Sequence, residues 1–164
     1  MPHHLITKAD GSVAILITDD DSIGPADEIA KWGAELQSKV VGHEPIDRAT
    51  IPTDRYFRNA WSRTSPGRID VDMPKAREIH RDVLRRMRAP LFGEPDVDYV
   101  KADEAGDEAA KASVRSYKQA LRDVPQDPRI DAAETPEELK AIVPDVLKTP
   151  MRDFLKKSSR ARKK

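Results

Sequence analysis

The chain has 164 residues, enough for one ordinary domain or two small lobes, and its side chains are 38% hydrophobic, 5% aromatic and 35% charged. So small an apolar supply predicts a modest core with solvated helices, and the lack of cysteine excludes disulfide scaffolds, thiolate nucleophiles and thiolate metal sites. The net charge of zero conceals four blocks: residues 1–47 hold 3 basic and 9 acidic side chains, 48–88 hold 11 and 5, 94–147 hold 7 and 14, and 148–164 hold 8 and 1. Neighbouring blocks of opposite sign can fold back on each other, reach a second copy of the chain, or simply form solvated faces.

The first stretch, "MPHHLITKADGSVAILITDDD", has no basic lead and no long apolar run, so it does not read as a signal peptide, and no stretch approaches the ~20 apolar residues of a membrane helix. Within it, "HLITKA" and "SVAILIT" are β-branched apolar runs separated by Asp10-Gly11. That dipeptide predicts a β-hairpin with a primed turn, in which the turn residues take positive φ. Pro25 follows a Ser and Gly boundary, and Ile29, Trp32 or Gly33, and Leu36 recur at helical spacing, so a short amphipathic helix is expected over about 25–38. "KVVGHEPIDRATI" reads as extended and supplies a third strand, on which the helix can be laid to share a core.

"IPTDRYFRNAWS", residues 51–62, gathers Tyr56, Phe57 and Trp61 with Arg55 and Arg58 in a chain otherwise poor in aromatics. Asp54 is placed to cap a short turn, and on a helical turn Phe57 and Trp61, four apart, share one patch. Two readings are open. The rings close the bottom of an N-terminal core while the arginines extend outward along it, or the cluster is an exposed binding surface of hot-spot composition.

"SRTSPGRIDVD" reads as a linker with one strand near Ile69 and Val71. Asp72 and Pro74 then mark the start of a helix whose apolar stripe runs through Ala76, Ile79, Val83 or Leu84, and Met87. Arg77, Arg81, Arg85 and Arg88 line another face, interrupted at pairing distance by Glu78 and Asp82, which favours protein over nucleic acid as the partner. After "APLFGEPDVD" a single long helix is expected from about 98 or 103 to 122, packed against the preceding one as an antiparallel hairpin. Thr135-Pro136-Glu137-Glu138 is a capping box that opens a short helix over 136–143, ended by Pro144. A last turn at Thr149-Pro150 leads into a basic tail.

The expected fold class is therefore α+β: a small N-terminal antiparallel β-sheet with one short helix, then a long α-helical hairpin and short C-terminal helices. The corresponding divisions are an α+β lobe at 1–65, a helical hairpin region at 66–147 and a basic tail at 148–164.

No catalytic group stands out. His3, His4, His43 and His80 lack zinc-site spacing, "DDDS" at 19–22 lacks the calcium-loop frame, and there is no glycine-rich phosphate loop or nucleophile elbow. With 29 acidic residues, a close carboxylate pair such as Asp70 and Asp72 is expected by chance. No cofactor, metal, membrane or small-molecule substrate is expected.

Ile51, Pro52, Asp54, Arg55, Phe57, Arg58, Ala60 and Trp61, followed by Met73, Pro74, Lys75, Ala76, Ile79 and His80, resemble a motif pair of small tailed-phage and prophage proteins. The resemblance covers most of residues 50–125. Arg81-Asp82 and "SYKQALRDVP" at 116–125 are also similar to the C-terminal domain of phage tail and tail-fibre assembly chaperones, with Lys118 where that family has an arginine and "AIVPDVL" where it has a Trp-Pro ending. The resemblance implies a non-enzymatic assembly role in the host cytoplasm with a phage tail or tail-fibre protein as partner, or alternatively a structural component kept in the virion; self-association is a further expectation. The candidate partner-binding residues are Arg55, Phe57, Arg58, Trp61, Arg77, Arg81, Tyr117 and Arg122.

Overall fold

In a computed structural model, which describes residues 1–19 and 22–154, a small antiparallel sheet with short helices precedes the long helices as the sequence predicts, and the class is α+β. The chain divides into two compact units, Met1–Ala76 and Arg77–Lys164. The expected boundary near residue 65 is thus displaced by eleven residues, and the reason lies in the segment read as a linker.

In the first unit β1 (His3–Lys8) pairs antiparallel with β2 (Val13–Ile17) on one side and β3 (Val40–Pro45) on the other, giving the strand order β2-β1-β3. The hairpin forms where Asp10-Gly11 predicts it, but not through a primed turn. Gly11 alone takes positive φ, at +76°. Its N–H donates to Lys8 O while Lys8 N–H donates to Ser12 O, both at 2.9 Å. The loop is therefore a three-residue one with a left-handed glycine closing it. Asp10 stays at negative φ because its carboxylate accepts from Ser12 N–H at 2.9 Å.

The expected helix over 25–38 is two short ones, α1 (Pro25–Ala30) and α2 (Ala34–Gln37). Gly33 is extended and serves as the N-cap of the second, and Gln37 bridges the break by donating to Ala30 O and Trp32 O.

"SRTSPGRIDVD" is a second hairpin rather than a linker: β4 (Trp61–Ser65) pairs antiparallel with β5 (Arg68–Val71), Trp61 opposite Val71. Pro66 and Gly67, the latter at φ +67°, occupy the central positions that a type II turn assigns to these residues. Glu44 fastens the hairpin to β3. It accepts from Arg63 Nε at 2.6 Å and Nη2 at 2.9 Å, and from Gly67 N–H at 3.0 Å. Leu5, Val13, Ile46, Trp61 and Ile69 form the core, with Ile15, Ile51 and Val71 packed on it.

Asp72 caps the next helix, α3 (Met73–Arg88), by accepting from Lys75 N–H at 3.1 Å. Ala76, His80 and Leu84 are its buried stripe, whereas Met87 is exposed. The unit boundary falls inside this helix.

In the second unit the single long helix of the prediction is two: α4 (Gly93–Glu104), which begins within the segment read as a breaker, and α5 (Glu108–Asp123). Gly106 ends the first at φ +67°, its N–H donating to Asp103 O while Asp107 N–H donates to Ala102 O. This is a Schellman motif. Asp107 immediately caps the second helix through Ala110 N–H at 2.9 Å. The helical hairpin is consequently α4 with α5, not α3 with its successor. Three rungs cross it: Asp96 to Lys118, Tyr99 to Arg115 and Asp103 to Lys111.

The chain continues through α6 (Pro128–Ala132), not foreseen in the sequence, α7 (Pro136–Ala141) and α8 (Asp145–Lys148). The Thr135/Glu138 capping box is present in both directions at the head of α7. A final turn from Pro150 sets Phe154 edge-to-face on Tyr117, with ring centroids 5.5 Å apart. Residues 155–164 of the expected basic tail, and Asp20 and Asp21 of "DDDS", lie outside the described residues.

Candidate partner-binding groove

The segment from Ile46 to Ala60 folds by local polar contacts rather than by regular structure. Ile46 N–H donates to His3 O at 2.9 Å, tying its start to the first residue of β1. Asp47 then caps a 3₁₀ turn over Arg48–Thr50, accepting from Ala49 N–H, and Asp54 accepts from Tyr56 N–H, each at 2.9 Å. Both acidic side chains of the segment thereby serve backbone N–H groups. A second 3₁₀ turn, Arg58–Ala60, hands the chain to Trp61 at the start of β4.

This arrangement separates the aromatic and arginine residues that the sequence had left as one cluster. Phe57 and Trp61 are 3% and 4% exposed. Trp61 belongs to the core and opens a strand, so the two rings do not share a helical patch and do not form a contact surface. Of the two readings, the core reading is the one the structure bears out for the rings. Arg55 and Arg58, in contrast, are both exposed.

They border a groove of about 1070 Å³ in the first unit. Ala14, Ile15, Ile17, Ile46 and Ile51 supply apolar lining, Arg48 joins Arg55 and Arg58 along it, and Asp47, whose carboxylate accepts from Ala49 N–H, is the one acidic residue among the lining. None of these three arginines forms an ion pair among the described residues. An apolar trough edged by unneutralised guanidiniums suits a ligand that is itself part apolar and part anionic.

A smaller cavity of about 250 Å³ lies beside Thr7, His43, Glu44 and Arg63. Its two charges already satisfy one another. The Arg63 guanidinium, with the Gly67 N–H, holds the Glu44 carboxyl down to about 2. Among the described residues no group of His, Asp and Glu side chains is placed to hold a metal ion, and no helix is long and apolar enough to cross a membrane.

The candidates of the second unit have other roles. Arg77 donates to Ala133 O at 2.9 Å, and Arg81, one turn on, pairs with Asp131 and Glu78. The two therefore meet at the end of α6 and fasten α3 to it, which explains their presence without a partner protein. Tyr117 is 3% exposed and packs on Phe154, so it too is a core group rather than a contact residue. Arg122 is exposed, and its carbonyl accepts from Arg88. Lys118 pairs with Asp96 and lies over the Tyr99 ring at 5.7 Å from its centroid.

Sequence reasoning did not single out Arg48 or the isoleucines of β2. The signal for Arg48 is present in "IDRATIPTDRYFRN": Asp47 and Asp54 stand at turn-forming positions, leaving the three arginines without local partners. For β2 no local signal exists, because which side of a strand is free depends on the strand order. No protein-family model, curated protein or solved structure matches the chain.

Proposed function

We propose that the chain is a non-enzymatic assembly protein of tailed phages, which holds a tail or tail-fibre protein in the host cytoplasm while the particle is built. The observation that carries this reading is the groove edged by Arg48, Arg55 and Arg58. Within the motif that resembles phage proteins, the fold accounts for most positions. Phe57, Ala60 and Trp61 are core, Asp54 makes a turn, and Ala76 and His80 are buried on α3. Arg55 and Arg58 belong to the same motif, yet among the described residues no carboxylate partner accounts for them. Residues that the fold does not need, beside an apolar trough, are what a protein-binding surface requires.

The test is quantitative mass spectrometry of purified particles of the encoding phage or prophage against the lysate of producing cells. The protein is expected to be abundant in the lysate and absent from particles. A fixed stoichiometry with tail or head proteins in the particle would overturn the assembly role and make the chain a virion component.

A further inference from the structure

We infer that the groove takes an extended, acidic segment of the partner, added as a further strand on the free edge of β2; the inference rests on the protein-binding role proposed above and specifies its chemistry. In the order β2-β1-β3 the outer side of β2 has no strand along it among the described residues. The hydrogen bonds Thr18 N–H to Pro2 O and Lys8 N–H to Ser12 O turn residues 12 and 18 of this antiparallel pair toward β1. Backbone direction alternates along a strand. Ile15 and Ile17 therefore direct their N–H and C=O groups outward. β4 meets β2 at its beginning, through an isolated bridge between Ser12 and Ser62, and among the described residues no strand pairs with that outer side beyond it.

The same two isoleucines line the groove, and Ile17 is 50% exposed. The outward backbone groups of Ile15 and Ile17, unpaired among the described residues, thus occur together with an apolar wall and a cationic border. An open edge of this kind is a template for strand addition: main-chain hydrogen bonds supply affinity and side-chain contacts supply selectivity. Arg48, Arg55 and Arg58 set that selectivity by charge complementarity, favouring a segment that carries carboxylates among its β-branched or apolar residues. They also oppose edge-to-edge pairing of two copies, since pairing β2 with β2 would bring two sets of guanidiniums together. A nucleic acid would satisfy the arginines but leave the edge amides and the isoleucine wall without partners.

The experiment is selection of random dodecapeptides by display on the full chain, followed by titration of the most enriched synthetic peptide into isotope-labelled protein. Acidic, strand-forming peptides are expected to emerge, to slow amide exchange at Ile15 and Ile17, and to bind about tenfold or more weakly to the Arg55→Glu/Arg58→Glu variant, whose exposed sites leave folding intact. Enriched peptides that shift the amides of α4 and α5 instead would overturn the strand-addition inference and leave the protein-binding role standing. Enrichment of nothing above background would overturn both. An oligo-dT dodecamer that competes for the groove more tightly than the peptide would overturn the inference in favour of nucleic acid. A concentration-dependent dimer protecting the same two amides would overturn it in favour of a second copy.

Discussion

Arg77, Arg81, Arg88, Lys111, Arg115 and Lys118 of the second unit each end on a partner within that unit: a helix carbonyl, a carboxylate or a tyrosine hydroxyl. In the first unit Arg63 does the same, as do Lys31, Lys39, Arg68 and Lys75, but Arg48, Arg55 and Arg58 form no ion pair among the described residues. The two units have similar side chains and use them differently. In one, charge is part of the scaffold, clasping α4 to α5 and α3 to α6. In the other, the scaffold is apolar and a hairpin clasp, and charge is left over at a groove. Charge density by itself therefore does not indicate a binding surface, and neither does one exposed cation such as Arg122; the informative feature is several cations without an anion among the described residues gathered along one groove.

The strongest way to break this comparison is to damage one core at a time. Trp61→Ala should cost the first unit about 3–5 kcal/mol, and Leu121→Ala should cost the second about 2–5 kcal/mol. Amide exchange reads the outcome: protection in β1 should fall in the former with α5 retained, and the reverse in the latter. Simultaneous loss in both variants would mean that the units are not separate in stability.

Next in size is the contrast between engaged and unengaged arginines. Arg81→Ala removes a largely buried side chain with two carboxylate partners, and should lower stability by about 1–2 kcal/mol in urea unfolding. Arg55→Ala should stay within about 0.5 kcal/mol of the parent. Equal losses would erase the distinction drawn between the two units.

Acid sharpens the comparison further. The folded Glu44 carboxyl is depressed from 4.5 to about 2, chiefly by Arg63. Its contribution is present above pH 4.5 and is lost as pH falls through that range. Glu44→Gln should therefore have a lower urea midpoint than the parent at neutral pH, and the gap should close between about pH 4.5 and 2.

The smallest effect belongs to His80, which is 1% exposed and bonds Ile142 O through Nε2 at 2.9 Å. Nε2 must carry the proton there, since a carbonyl only accepts. Burial lowers the folded pKa from 6.5, against the smaller opposing effect of that hydrogen bond. The folded state thus resists protonation, and this site takes stability away as pH drops below about 6.5 while having no effect well above it. His80→Gln should flatten that limb of the second unit's thermal stability against pH; an unchanged slope would assign it to other groups.

What the sequence made legible was what short stretches decide. Asp10-Gly11 between β-branched runs, Asp72 before α3 and the Thr135/Glu138 box each carry their own partners within a few residues. The break at Gly106 was equally local, yet the alanine-rich stripe runs on through Ala102, Ala109 and Ala112 and masked a stop and a start that touch, Gly106 and Asp107. β4 escaped because "WSRTS" has little apolar alternation; its strand character comes from pairing with β5 and from the Glu44 clasp. At the site, composition found Arg55 and Arg58. It could not separate them from Phe57 and Trp61, because burial depends on Leu5, Val13 and Ile69, residues distant in the chain. Arg81 was misleading for the same reason, its partner Asp131 lying fifty residues away.

Both tryptophans of the chain, Trp32 and Trp61, fall in the first unit, and the long helices α4 and α5 fall in the second. The Trp61 indole is buried among Leu5, Val13, Ile46 and Ile69, and its N–H has no hydrogen-bond acceptor among the described residues. Its emission should be blue and should move to the red on opening of the sheet unit alone, while ellipticity at helical wavelengths follows mainly the other unit. The molecule thus contains two built-in optical channels, one for each half. Superposable curves from the two would report a single cooperative transition, and displaced curves two independent ones, without any label or substitution.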